Sequence, residues 1–148
     1  MKKIKINQKC YFDCSTVKKI LSIHGLLPLL RVALVSAYLV GGINKFIGFH
    51  AAIEEQASFG LQPAWLWAAA AIVIEIVGSL LVIFNRFVWL GAGALGCLTA
   101  IAMLVANDFW NHTGPAFFST FNSFFEHLGL IAALVMVTIL SNQQPNKQ

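Results

Sequence analysis

The chain has 148 residues, 58% of them hydrophobic and only 11% charged, with a net charge of +4 and a mean hydropathy of +0.75. A soluble domain carries about 25% charged residues, and a disordered chain is poor in apolar ones, so neither class fits. The apolar residues fall in blocks of roughly 20, the length that crosses a bilayer, and lipid is therefore the solvent to reason about.

In chain order, residues 1–25 form a basic tail. Six of the ten basic residues (Lys2, Lys3, Lys5, Lys9, Lys18 and Lys19) precede the first apolar block. Such placement points to the positive-inside rule and to anionic headgroups, and away from nucleic acid. No apolar run follows Lys2, Lys3 and Lys5, so the tail does not read as a signal peptide. Residues 15–24 have the pattern either of a short interfacial helix, with Val17, Ile20, Leu21 and His24 on one side, or of an unstructured basic linker. Cys10 and Cys14 lack two further zinc ligands, and they are spaced one residue too far apart for the redox motif. With Cys97 they read as free thiols, and no metal site is expected.

The first span is expected at about 26–47 and carries Arg31 and Lys45. A loop over 48–62 follows, with His50, Glu54 and Glu55. Pro63 suits the first position of the next helix, where its missing N–H costs no intrahelical bond. That second span, 63–84, has a single charge, Glu75. After a turn at Asn85 and Arg86, the third span, 87–106, has none. The segment 107–120 is polar and aromatic, with Asp108, Trp110 and His112, and a Gly114-Pro115 break that stops any helix. The fourth span, 121–140, carries Glu126 and His127, and a polar tail covers 141–148. The expected fold is an all-α integral membrane four-helix bundle over 26–140. Both termini are expected in the cytoplasm, because nine of the ten basic residues then lie inside and only Lys45 outside.

A charge inside a span is expensive and is usually turned inward. At about 100° per residue, Arg31, Tyr38, Gly42 and Lys45 form one stripe on the first helix. Ala68, Ala71, Glu75 and Ser79 form a small-residue face on the second. Counted from the cytoplasmic helix ends at about 1.5 Å per residue, Arg31 lies near 8 Å depth, Glu75 near 15 Å, and Glu126 and His127 near 20 Å. These depths favour an Arg31–Glu75 ion pair, with Lys45 the second choice of partner. Ala92, Gly96 and Ala100 on the third helix read as a packing face.

Toward the outer side Lys45, His50, Asp108, His112, Glu126 and His127 are expected to gather with Trp110 and a set of phenylalanines. Such a pocket can receive an amphipathic ring such as a quinone. Lys45, Trp110, Glu126 and His127 are the candidate ligand-binding residues, although interfacial anchoring accounts for many of the aromatics by itself.

Arg31, Gly42-Ile43-Asn44-Lys45, Gly60-Leu61-Gln62-Pro63, Glu75-Ile76-Val77-Gly78, Asp108-Phe109-Trp110-Asn111 and the stretch 125–131 succeed one another in an order that resembles the DoxX family, over residues 30–140. The resemblance implies a multi-pass protein of the bacterial plasma (inner) membrane. In some members it is a subunit of a quinol oxidase or thiosulfate:quinone oxidoreductase, and in others a membrane partner of soluble redox enzymes. It leaves open whether the chain is itself catalytic. The expected function is therefore a quinone-linked redox subunit or membrane partner of an oxidoreductase, in contact with the bilayer and compatible with oligomers. The competing readings are a non-catalytic scaffold or assembly protein and, with less support, a small transporter, since transporters usually show broken, repeated helices.

Overall fold

The computed structural model describes residues 25–143. The expectations for the basic tail, the 15–24 helix, Cys10, Cys14 and the last five residues lie outside the described residues. Among the described residues five helices follow one another: α1 (Leu26–Ile47), α2 (Phe49–Ser58), α3 (Ala64–Ile83), α4 (Val88–Ala106) and α5 (Pro115–Gln143). A single 3-10 turn, Phe109–Asn111, precedes α5. Four of the helices, all but α2, are long and apolar enough to cross a membrane. Helix is what such sequences must form in lipid, where every backbone polar group has to find its partner within the segment.

The spans sit where the hydropathy pattern puts them, with two differences. The segment 48–62 is largely the helix α2, which packs on α3 and α1 and buries Ala52. Its residues are mostly good helix formers, and two residues past its end the chain turns at Gly60, whose φ of +75° is a left-handed conformation that glycine adopts freely. In addition, α5 begins six residues earlier than expected and runs for 29 residues, about 43 Å. Gly114, at φ +64°, turns the chain, and Pro115 then opens the helix as a first-position proline. The Gly-Pro pair starts a helix here.

The bundle runs α1–α3–α4–α5, each helix packed on the next, with only slight contact between α1 and α5. Large apolar side chains such as Leu29, Val40, Val73, Leu104 and Met136 point outward and are exposed. In lipid that outward face carries no hydrophobic penalty. Close approach is made by small residues. A Cβ on Gly91 would lie 2.7 Å from the Gly78 carbonyl oxygen, and one on Gly42 would lie 3.0 Å from Glu75 Cβ. The α3–α4 seam thus closes at Gly78 and Gly91, not on the Ala92–Gly96–Ala100 face as a whole. Ala92 is buried, whereas Gly96 has open space beside it.

The core is unevenly distributed. Val35, Val82, Val88, Leu95, Leu134 and Val137 fill the half of the bundle nearest the α3–α4 turn. The other half, beneath α2, is hollow.

Candidate functional site

The hollow is a cavity of about 610 Å³ walled by α1, α3, α4 and α5 and covered by α2. Its lining is mostly apolar, and its polar groups come from five different segments.

Lys45 Nζ donates to Glu75 Oε1 at 2.6 Å, an ion pair in which the carboxylate side chain is 8% exposed and the lysine 25%. The second carboxylate oxygen, Oε2, is buried and has no hydrogen-bond partner. Gly41 and Gly42 make room for it, since a Cβ at either would lie 3.4 Å from Oε2. A buried carboxylate oxygen left unpaired is costly, and the Glu75 side chain that carries it is part of the cavity wall.

The expected Arg31–Glu75 pair does not form. Helix ends are not all level, and counting depth from each end hid a stagger between α1 and α3. Gly42 packs directly against Glu75. Arg31 lies eleven residues away from Gly42, about 16 Å along the axis, and Lys45 only three, about 4.5 Å. Arg31 is buried near the other end of α1, where Nη2 donates to Ser141 Oγ at 3.1 Å.

Tyr38, the second member of the α1 stripe, also faces the cavity. Its hydroxyl lies 2.7 Å from Thr99 Oγ1 on α4, and Thr99 in turn donates to the Leu95 carbonyl at 2.7 Å. Thr99 gives no signal in the sequence, because a hydroxyl bonded back to the preceding turn barely disturbs an apolar pattern. It is nevertheless the only hydroxyl on α4. Trp67, Asn107, Cys97 and, from α2, Glu55 and Gln56 complete the polar or reactive lining. The α2 residues could not be placed while 48–62 read as a loop.

Of the candidate ligand-binding residues, Lys45 and His127 line the cavity. His127 Nδ1 lies 2.6 Å from the Ser123 carbonyl oxygen. Glu126 is exposed, because adjacent helical residues point about 100° apart and His127 takes the inward direction. Trp110 is also elsewhere. It is 54% exposed and belongs to an aromatic cluster in which Phe109 meets Trp110, Phe121 and Phe124 edge-on at 5.2–5.3 Å between ring centroids. That cluster ties the 3-10 turn to α5. Nor do His50, Asp108 and His112 converge on the cavity. His50 sits 3.6 Å from Glu54 on α2, and Asp108 holds His112 at 3.1 Å and Asn111 at 2.8 Å within their own loop.

A second hollow of about 440 Å³, between α4 and α5, is lined by Gly93, Gly96, Ala100, Ile131 and Val135. Cys97 borders both hollows, so one residue of α4 separates the central cavity from this groove.

Helices α1, α2, α3 and α4, with the first residues after them, coincide with the DoxX family model, which matches residues 26–108. The chain belongs to the DoxX family. This DoxX protein is similar to the inner membrane protein YphA of Escherichia coli (strain K12), at 24% identity over 134 residues that cover 90% of the chain and 92% of that relative. The four apolar helices and this likeness make it a multi-pass protein of the inner membrane, in contact with the lipid bilayer. No solved structure matches it. The family match ends at Asp108 and so includes the Lys45–Glu75 pair, Tyr38 and Thr99, but not His127.

Proposed function

We propose that this DoxX protein binds the head ring of a membrane-soluble quinone in the central cavity, as a quinone-linked subunit or membrane partner of a soluble oxidoreductase. The observation that carries the reading is the Lys45–Glu75 ion pair, one of its carboxylate oxygens left unpartnered, on the wall of a mostly apolar cavity of about 610 Å³. Ligand pockets of about 300–1,000 Å³ combine such apolar walls with a few fixed polar groups. Lys45 retains N–H groups beyond the one given to Glu75, and these can donate to a ring oxygen. The groove past Cys97 offers an apolar tail a way into the bilayer. A quinone supplies two-electron, two-proton chemistry when bound. The chain's own part is to hold the ring, keep water out and offer proton-bearing groups, the electrons coming from the redox partner.

Purified protein titrated with a short-tail benzoquinone is expected to show saturable quenching of tryptophan fluorescence, because Trp67 lines the cavity. Absence of saturation would leave the scaffold reading in its place.

We further propose that both termini are cytoplasmic. Four spans put the two ends of the bundle on one side, and the basic tail and Arg86 then obey the positive-inside rule. Ser58 and Thr113 are exposed at the opposite end. Single cysteines at these positions, in a cysteine-free background, are expected to react with an impermeant thiol reagent added to intact cells, while one at Asn142 stays unlabelled. Labelling at Asn142 alone would reverse the orientation.

A further inference from the structure

We infer that the cavity selects the reduced, hydroxyl-bearing form of its ring ligand over the dicarbonyl form, and that Thr99 is a positioning residue for this choice. The inference rests on the ring-binding reading above and follows from where the protons in the cavity wall must lie.

Thr99 Oγ1 has one proton and two neighbours at 2.7 Å, the Leu95 carbonyl and the Tyr38 hydroxyl. A carbonyl can only accept, so the arrangement that satisfies both bonds has Thr99 donating to Leu95 and Tyr38 donating to Thr99. The Tyr38 proton is thereby spent on α4, and only oxygen lone pairs remain for the cavity. His127 is set the same way. Its Nδ1 lies 2.6 Å from the Ser123 carbonyl and must carry the proton of that bond, so the neutral ring offers Nε2 as an acceptor. The third acceptor is the Glu75 carboxylate, which lines the cavity and has one oxygen without a partner.

Against these three and the Glu55 carboxylate, which also lines the cavity, stands Lys45, whose remaining N–H groups donate. The indole N–H of Trp67 adds one more donor, while the amides of Gln56 and Asn107 can serve either role. Counted by side chain, the four that present only acceptors therefore outnumber the two that present only donors. A quinone has two carbonyl oxygens and nothing to donate, so it satisfies Lys45 and leaves lone pairs facing lone pairs elsewhere. A hydroquinone brings two O–H donors, one of which can pair with the orphaned Glu75 oxygen while a ring oxygen still accepts from Lys45. Leaving buried acceptors unpaired is penalised more heavily than any single bond is rewarded, and the reduced form is the one that pairs them.

The test is calorimetric titration of the purified full-length protein with a short-tail benzoquinone and, under argon, with its hydroquinone. The hydroquinone is expected to bind the more tightly. In Thr99→Val, which keeps the shape and removes the hydroxyl, the Tyr38 proton is released toward the ligand, and the ratio of the two affinities should fall by about tenfold, the worth of one good hydrogen bond. Tyr38→Phe should lower the same ratio, and adding Thr99→Val to it should change nothing further. A substitution that merely loosened the bundle would weaken both forms alike. Equal or tighter binding of the quinone by the wild type would overturn the inference and leave the ring-binding reading standing, as would a ratio unmoved in both variants. Failure of both forms to bind would remove that reading and the inference together.

Discussion

Glu75→Gln is expected to lower the melting temperature in mild detergent, with a loss of about 2–4 kcal/mol. Breaking a fully buried pair costs roughly 3–5 kcal/mol because the surviving charge is stranded; Lys45 is a quarter exposed and can recover some solvation, which places this pair toward the lower end. Lys45→Met should be the more damaging of the two single changes, since it leaves the 8%-exposed carboxylate without its cation. The double variant Lys45→Met/Glu75→Gln should regain part of the loss, because residues in direct contact do not contribute additively. Arg31→Gln offers the control. Arg31 is bonded to Ser141 and lies about 16 Å along the bundle from the level of Glu75, so its effect should simply add to that of Glu75→Gln. Coupling of Glu75 to Arg31 in place of Lys45, measured by the same thermal cycle, would contradict the packing of Gly42 against Glu75.

Ala102→Phe should separate binding from stability. Inserting a large side chain into a packed core usually costs about 1–3 kcal/mol. Ala102 instead borders the cavity of about 610 Å³, and a phenyl ring there occupies empty volume. The melting temperature is expected to hold or rise, while affinity for a quinone or hydroquinone head falls by at least about tenfold, roughly 1.4 kcal/mol. The pair of measurements matters because a variant that loses both fold and binding says nothing about the site. Retained binding with a retained fold would place the ligand outside this cavity.

Much of the fold was legible because a bilayer leaves a chain few choices. Blocks of about 20 apolar residues must become helices, and α1, α3 and α4 lie within a residue or two of the expected spans. The short helix α2 was hidden because it buries only Ala52 and has no long apolar stripe to reveal it. The start of α5 was misplaced because Gly114-Pro115 can end one helix or open another, and nothing local decides which. In the site, Glu75, Lys45 and His127 stood out as titratable groups within or beside spans, and all three face the cavity. Their pairing did not stand out. It depends on the stagger between α1 and α3, which the close approach at Gly42 sets, and a count along each helix carries no information about that. Trp110 and Glu126 share the expected level of Lys45 and His127 along the bundle, yet one belongs to the Phe109 cluster and the other faces outward. Tyr38 and Thr99 were the quiet members: hydroxyls on apolar helices, meaningful only once α1 and α4 bring them to 2.7 Å.

The most direct test of the central claim, that a ring ligand enters the cavity beside Lys45 and Glu75, is quenching by a short-tail benzoquinone in variants that keep one tryptophan each. Trp67 borders the cavity, whereas Trp110 lies in the aromatic cluster at the bundle end and Trp89 borders the groove between α4 and α5. Saturable quenching confined to the Trp67-only protein, and weakened there by Ala102→Phe, is the predicted result. Saturable quenching in the Trp110-only protein with none at Trp67 would contradict it, and would move the site to the aromatic cluster.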